Sequence, residues 1–282
     1  MIKLNSFLIK NYLLSIIFIM GLQSFSSVAQ NKKIQIVQIT DPQFGFFEEN
    51  KTFEKETVLY TEAIRQINEL KPDFVVITGD FVNNSKNIKQ IEEFKRITSY
   101  LDESIPLYLS PGNHDLGQNP TKESFEFYFS NYGKGNDRFS FEYENSHFIG
   151  LNSVIIKSGT NNKEEKKQYR WLKRELKKAK SSNVIILFTH YPFFTKDFEE
   201  NESFSNQSKK DRLKYFTLFK EYGVDAVYAG HLHNNAQASY NGIKMITTNA
   251  AGRPLGKAEP GYRLIEINDG VLSSEYIPIM PE

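Results

Sequence analysis

Short apolar runs alternate with amphipathic stretches along the chain, and this alternation constrains the fold more than any other feature. Residues 34–39 alternate apolar and polar side chains in the manner of a strand. Further on, Leu59, Ala63, Ile67 and Leu70 recur at the spacing of one helix face. Strands that alternate with helices are typical of α/β domains whose sheets are largely parallel. The sequence therefore predicts an α/β fold.

Five of the apolar runs end in residues that can bind a metal ion. These residues are Asp41, Asp80, Asn113, His190 and the pair His231 and His233. In an open α/β sheet the carboxyl ends of the strands share one edge, and ligands bind there. Four of the five histidines belong to these segments, whereas His147 lies inside a strand-like run and is predicted to be a packed or surface residue. The pattern predicts one site built from five segments.

The residue types in this set favour a two-metal centre. The chain contains no cysteine, so a metal must bind to oxygen and imidazole ligands. Two cations about 3.5–4 Å apart need a carboxylate between them, and Asp80 is the natural bridge. Such a pair lowers the pKa of a shared water towards neutrality, and its positive charge attracts a phosphate ester.

The ordered motifs resemble those of the calcineurin-like metallophosphoesterase superfamily. They read Asp-Pro-Gln at 41–43, Gly-Asp-x-x-Asn at 79–83, Gly-Asn-His-Asp at 112–115, a single His at 190 and Gly-His-x-His at 230–233. The resemblance implies a four-layer αββα sandwich, in which helices flank two mixed sheets. It also implies two divalent or trivalent metal ions, for which manganese, iron and zinc are the expected identities.

The resemblance also implies a role for each motif residue. The ligands of the first metal would be Asp41, Asp80 and His233, and those of the second would be Asp80, Asn113, His190 and His231. His114 would bond the phosphoryl group or protonate the leaving oxygen, and Asp115 would orient the His114 ring. A hydroxide bridging the metals would attack phosphorus in line with the leaving group.

Gln43 stands where the superfamily usually has a histidine. The first metal would then gain an amide oxygen or lose a ligand, so we expect a weaker site or a preference for Mn²⁺ or Mg²⁺ over Zn²⁺. The Asp-Pro-Gln variant and the segments 252–257 and 260–263 resemble one subgroup of the superfamily. That subgroup includes a eukaryotic serine/threonine phosphatase and secreted bacterial relatives, so Gln43 is expected to belong to a working site.

Several other residues are candidates for the same site. Asn83 replaces the second acid of the Gly-Asp motif and is a candidate to lie near a metal. Arg253 is a candidate to clamp phosphate oxygens, with a salt-bridged or solvated arginine as the alternative. Phe193, Phe194 and Phe204 could stack on an aromatic leaving group, with core or loop packing as the alternative.

The polar stretch from Thr195 to Asp211 has few periodic apolar residues and is predicted to be a long loop, with a helix over 212–222. Long loops in compact domains often carry function. A helix that ends at Gly223 fits the preference for glycine after a helix terminus.

Residues 1–29 are predicted to be a secretory signal peptide, and residues 30–282 a metallophosphoesterase domain. Lysines precede an apolar run over 12–22, and a small-x-small cleavage site comes before Gln30. The run is shorter than the ~20 residues that span a bilayer, and an uncleaved N-terminal anchor is the alternative. We expect cleavage between Ala29 and Gln30, a periplasmic or secreted protein, and no membrane association of the mature form.

The net charge and the motifs together limit the classes of function that are expected. The formal net charge is +1 with both signs scattered along the chain, which argues against a nucleic-acid groove. We expect a phosphoesterase that hydrolyses small phosphate mono- or diesters. The alternatives are a serine/threonine phosphoprotein phosphatase and a non-catalytic phosphate-binding module that has lost a metal at Gln43. No apolar stripe indicates a partner surface, so a monomer is expected.

Overall fold

The computed structural model describes residues 33–160 and 162–281. Its strands are β1 (Ile34–Ile39), β2 (Phe74–Thr78), β3 (Leu107–Ser110), β4 (Phe139–Tyr143), β5 (Ser146–Gly150), β6 (Val184–Phe188), β7 (Ala226–Ala229), β8 (Ala236–Tyr240), β9 (Ile243–Thr247), β10 (Gly261–Asn268) and β11 (Val271–Pro278). Its helices are α1 (Glu54–Leu70), α2 (Ile88–Thr98), α3 (Asn113–Leu116), α4 (Lys122–Tyr132), α5 (Val154–Ser158), α6 (Asn162–Ala179) and α7 (Lys209–Tyr222). The predicted signal peptide lies outside the described residues.

The strands form two mixed sheets. The first sheet has the order β11-β10-β1-β2-β3, and β1, β2 and β3 are parallel. The second has the order β4-β5-β6-β7-β9-β8, in which β5, β6, β7 and β9 are parallel. Antiparallel strands β10 and β11 complete one side of the first sheet, and β4 and β8 form the two edges of the second. The parallel strands of each sheet place their carboxyl ends along one edge.

The described residues pack into three apolar layers. The central layer lies between the sheets, where the Phe74 ring of β2 contacts Phe141 and Phe148 of the second sheet at centroid distances of 5.0 and 4.8 Å. One outer layer packs α1, α2 and α4 against the first sheet, and the other packs α6 and α7 against the second. The order helix, sheet, sheet, helix confirms the predicted four-layer αββα sandwich.

A capping side chain and a glycine set the two ends of α7, and the helix begins earlier than predicted, so the preceding loop is shorter. The Ser208 side chain accepts a hydrogen bond from the Asp211 backbone N–H, so α7 begins at Lys209 and not after Asp211. The prediction that the loop extends to Asp211 is therefore wrong by three residues. The helix ends where Gly223 takes φ +76°, as the sequence predicts. We call residues 189–208, between β6 and α7, the β6–α7 loop.

His147 lies in β5 and is buried, with its Nε2 2.8 Å from the Ser140 Oγ of β4. This position agrees with the prediction of a packed histidine. Within residues 33–160 and 162–281, no helix combines the length and the apolarity that crossing a membrane requires.

Candidate metal centre

Turns at the carboxyl ends of five parallel strands carry the candidate ligands. Asp41 follows β1, Asp80 follows β2, Asn113 follows β3, His190 follows β6, and His231 and His233 follow β7. All six residues are buried. The structure thus brings together, at one edge of the two sheets, the residues that the sequence pattern predicts to meet.

The backbone of these turns takes an unusual conformation. Asp41, Gln43, Asp80, His231 and His233 all have positive φ, between 40° and 70°. Residues other than glycine rarely adopt this left-handed region, and such outliers cluster at functional sites. A Cβ atom at Gly112 would lie 2.1 Å from Asp80 Oδ1, so the neighbouring turn must approach without a side chain.

Hydrogen bonds between the turns join the two sheets at the site. The His231 backbone N–H donates to Asp41 Oδ2 at 2.9 Å, which links the end of β7 to the end of β1. The His190 ring donates from Nδ1 to the Thr78 carbonyl at 2.9 Å, which links the end of β6 to β2. The relative position of the candidate ligands is therefore fixed by bonds that the ligands themselves make.

The candidate ligand atoms form two neighbouring groups, joined where His190 Nδ1 lies 3.9 Å from Asp41 Oδ1. In one group, His190 Nε2 lies 3.1 Å from Asn113 Oδ1 and 3.3 Å from Asp80 Oδ2. Donor atoms of Asp80, His190 and His231 lie within 4.8 Å of one another. In the other group, Asp41 Oδ1 lies 3.3 Å from His233 Nε2.

Each candidate histidine uses one ring nitrogen on a backbone carbonyl and keeps the other for the site. His190 Nδ1 donates to Thr78, His233 Nδ1 donates to Arg253, and His231 Nε2 donates to Phe204. A carbonyl oxygen can only accept, so each bond fixes the position of one ring proton. Metal-binding histidines are typically oriented by such a bond.

Buried oxygens without partners show that the residues fit a cation. Asp41 Oδ1 and Gln43 Oε1 are buried and make no hydrogen bond. An unpaired buried oxygen is costly, so native structures normally satisfy it. Two ligands each about 2.1 Å from a cation lie about 3.0–3.4 Å apart. The 3.3 Å between Asp41 Oδ1 and His233 Nε2 matches that spacing.

The charges of the cluster also indicate that its residues fit a cation. Burial alone would raise the pKa values of Asp41 and Asp80, but the nearby histidines outweigh it and lower both. Burial alone would lower the pKa of His190, yet Asp80 and Asp41 raise it to about 9. Burial and the charge of His190 lower the pKa of His231 to about 3. The ionised carboxylates therefore favour positive charge beside them, which a metal cation can supply.

Asp115 does not bond the His114 ring, as the family resemblance implied it would. Its carboxylate accepts from the backbone N–H groups of Phe81 and Gly112, at 2.9 and 2.8 Å. The His114 ring instead bonds through Nδ1 to the Asn83 carbonyl at 2.8 Å. The expectation that Asp115 orients the His114 ring is therefore wrong. Asp115 ties together the turns that carry Asp80 and Asn113, and burial raises its pKa well above the usual range.

Asn83 lies beside Gln43, which carries an unpaired buried oxygen. Gln43 Nε2 donates to Asn83 Oδ1 at 3.0 Å, and Asn83 Nδ2 donates to Asn50 Oδ1 at 2.8 Å. These bonds engage the amide nitrogen of Gln43 and leave its oxygen for another partner. Sequence reasoning did not find this role for Asn83, since it depends on two turns that meet only in the fold.

The remaining candidates divide between the site and the core. Arg253 lies next to the site, with its guanidinium 5.3 Å from the Phe46 ring centroid. Phe193 and Phe194 are fully buried in the core of the second sheet, so the packing alternative holds for them. Phe204 is 64% exposed, and its ring centroid lies 5.0 Å from that of His231.

Comparison with known proteins relates this fold and site to phosphoesterases. The profile of the family described as calcineurin-like phosphoesterase matches residues 34–235. Serine/threonine-protein phosphatase CPPED1 of Rattus norvegicus is 32% identical over 267 residues, covering 87% of this chain and 85% of that protein. A probable glycerophosphodiester phosphodiesterase, GpdQ of Arcobacter nitrofigilis, is 32% identical over 189 residues, covering 66% of each chain.

Solved structures share the fold. A dimetal phosphatase from Danio rerio has a TM-score of 0.62 at 15% identity, covering 88% of this chain and 99% of that one. Purple acid phosphatase PPD1 from Lupinus luteus also has a TM-score of 0.62 at 15% identity. This chain covers 52% of the lupin chain, about half of its length.

Asn113→Ala should weaken metal binding, because it removes an oxygen that lies 3.1 Å from His190 Nε2. We expect at least about a tenfold loss of Mn²⁺ affinity, by analogy with losses on mutating residues around metal centres. Isothermal titration of metal-stripped protein measures the affinity. Asn183→Ala is the matched control, because Asn183 is exposed in the turn before β6. Equal affinities for the two variants would contradict the assignment of Asn113.

Proposed function

Since the chain belongs to the calcineurin-like phosphoesterase family and is a metal-dependent phosphoester hydrolase, we propose that it hydrolyses small phosphate mono- or diesters in the periplasm or outside the cell. The observation that carries this proposal is the convergence of five strand-end turns on one buried cluster with unpaired oxygens. A cluster of this kind suits a doubly metallated phosphoester site.

We propose a division of the ligands between two cations. Asp41, Gln43 and His233 would hold one cation, and Asn113, His190 and His231 the other. Asp80 would contribute to both, since its carboxylate lies 3.3 Å from His190 Nε2 and its charge also acts on His233. When bound, the cations supply positive charge that polarises a phosphoryl oxygen and lowers the pKa of a water.

His114 is the residue placed to move a proton. Its Nδ1 donates to the Asn83 carbonyl, and its backbone N–H donates to Asp80 Oδ1 at 2.8 Å. The ring is therefore held beside the candidate bridging carboxylate, with Nε2 available to the substrate. In the imidazolium form, Nε2 can give its proton to the leaving oxygen. Asp115 supports this arrangement by fixing the turn that carries His114.

The proposed location rests on the sequence of residues 1–29. Their charged start, short apolar run and small-x-small site support export and cleavage before Gln30. N-terminal sequencing of the exported protein should begin at Gln30, and an intact Met1 on exported protein would contradict cleavage.

A serine/threonine phosphoprotein phosphatase is the second candidate. It is favoured by the CPPED1 relative, which matches this chain over 85% of its own length and is named as such a phosphatase. The family and the phosphatase relatives support a hydrolase over the non-catalytic binding module. The assay below therefore includes a phosphoserine peptide.

Metal-stripped protein should regain hydrolysis of p-nitrophenyl phosphate or bis-p-nitrophenyl phosphate when supplied with Mn²⁺, Fe²⁺, Zn²⁺ or Mg²⁺. The amide oxygen of Gln43 favours Mn²⁺ or Mg²⁺ over Zn²⁺. Comparing kcat/KM for the two esters and a phosphoserine peptide chooses among monoester, diester and peptide substrates. Folded protein that hydrolyses nothing with any of the metals would overturn the proposal.

His114→Ala is the matched variant for this assay. It should keep its bound metal but lose about 10²- to 10⁴-fold in kcat on an alkyl phosphate, where the leaving oxygen needs a proton. The loss should be much smaller on p-nitrophenyl phosphate, whose leaving group departs without protonation. Equal losses on both esters would contradict the proton-donor role.

A further inference from the structure

We propose that Phe204 forms a stacking surface for the organic group of the substrate, and that phosphate esters of aromatic alcohols are the preferred substrate class. This inference rests on the proposed function, because it takes the metal centre as the place where the ester binds. It adds a specificity-determining residue to that site.

Phe204 presents its ring beside the metal centre. The side chain is 64% exposed, whereas the neighbouring His231 is 9% exposed. The Phe204 ring centroid lies 5.0 Å from the His231 ring and 6.5 Å from the Tyr191 ring. The ring is therefore an exposed apolar surface directly beside a candidate metal ligand.

The backbone of Phe204 is bonded to the same ligand. Its carbonyl accepts from His231 Nε2 at 3.3 Å. This bond fixes the Phe204 backbone against the His231 ring, whose Nδ1 is left for the site. Single exposed apolar residues are common on protein surfaces, but this one is anchored to a candidate ligand.

Two cationic side chains, those of Lys157 and Arg212, bind backbone carbonyls of the β6–α7 loop around Phe204. Lys157 Nζ donates to the carbonyls of Ser203 and Asn206, each at 2.7 Å, on the two sides of Phe204. The fully buried Arg212 donates from Nε to the Gln207 carbonyl at 2.9 Å and from Nη1 to the Phe198 carbonyl at 2.8 Å. The backbone that carries the exposed ring is thus fixed before a ligand arrives, which lowers the entropic cost of binding.

A second aromatic side chain lies near the other histidine of the pair. The Phe46 ring centroid is 5.1 Å from that of His233, and the Arg253 guanidinium lies 5.3 Å from the Phe46 ring. The Arg253 carbonyl accepts from His233 Nδ1, so this segment is also anchored to a candidate ligand. Aromatic surfaces next to both His231 and His233 favour a flat organic group on the bound ester.

Binding of two phosphonates to the Mn²⁺-loaded protein tests the role of Phe204 without turnover. The wild type should bind phenylphosphonate more tightly than methylphosphonate. Phe204→Ala should weaken phenylphosphonate binding by about 3- to 10-fold, the range expected for one aromatic contact, and leave methylphosphonate binding unchanged. Phe204→Tyr should retain the preference. Phe127→Ala is the matched control, because Phe127 is a partly exposed phenylalanine on α4.

Kinetics give a second readout. Phe204→Ala should raise KM for phenyl phosphate by the same factor while kcat and bound metal stay unchanged. A wild type without a preference for the phenyl group, or a Phe204→Ala variant that retains it or loses affinity for both phosphonates alike, would overturn the proposal. Protein that prefers phenylphosphonate but hydrolyses no ester would support the role of Phe204 and contradict the proposed function.

Discussion

The carboxylates of Asp41 and Asp80 are buried, and the condition they impose on the rest of the site is that it supply positive charge and hydrogen bonds beside them. Burial opposes their ionisation, and surrounding histidines restore it. A buried charge is tolerated only with an opposite charge and hydrogen bonds nearby. His190 partly meets this condition, since both carboxylates raise its pKa. Metal cations meet it more fully, and they also satisfy oxygens that the protein leaves unpaired.

The fold places compensating groups around these carboxylates by bringing turns from two sheets into contact. Polar links such as His231 to Asp41 cross from one sheet to the other, so neither sheet alone contains the site. The apolar layer around Phe74 holds the sheets face to face behind the turns. Left-handed residues and the closely packed Gly112 let the turns approach one another. The packing energy of the sandwich thereby supports a backbone that is unfavourable in isolation.

Sequence patterns predicted an α/β fold and the candidate ligand set, because strand ends and histidines are local features, whereas the four layers were implied by the family resemblance. Asp80 and His190 could be assigned from the motifs that follow their strands. The contact of Asp115 with Phe81 could not, because it forms only after two turns have come together. The sequence also named Phe204, Phe193 and Phe194 together as candidates for stacking, but only the fold shows that Phe204 is the one exposed beside His231.

The most direct test of the two-metal centre is the anomalous diffraction of crystals grown with Mn²⁺. We expect two anomalous peaks, one on either side of the Asp80 carboxylate. One peak should adjoin Asp41 and His233, and the other Asn113, His190 and His231. A single peak, or manganese bound elsewhere on the molecule, would contradict the two-metal centre.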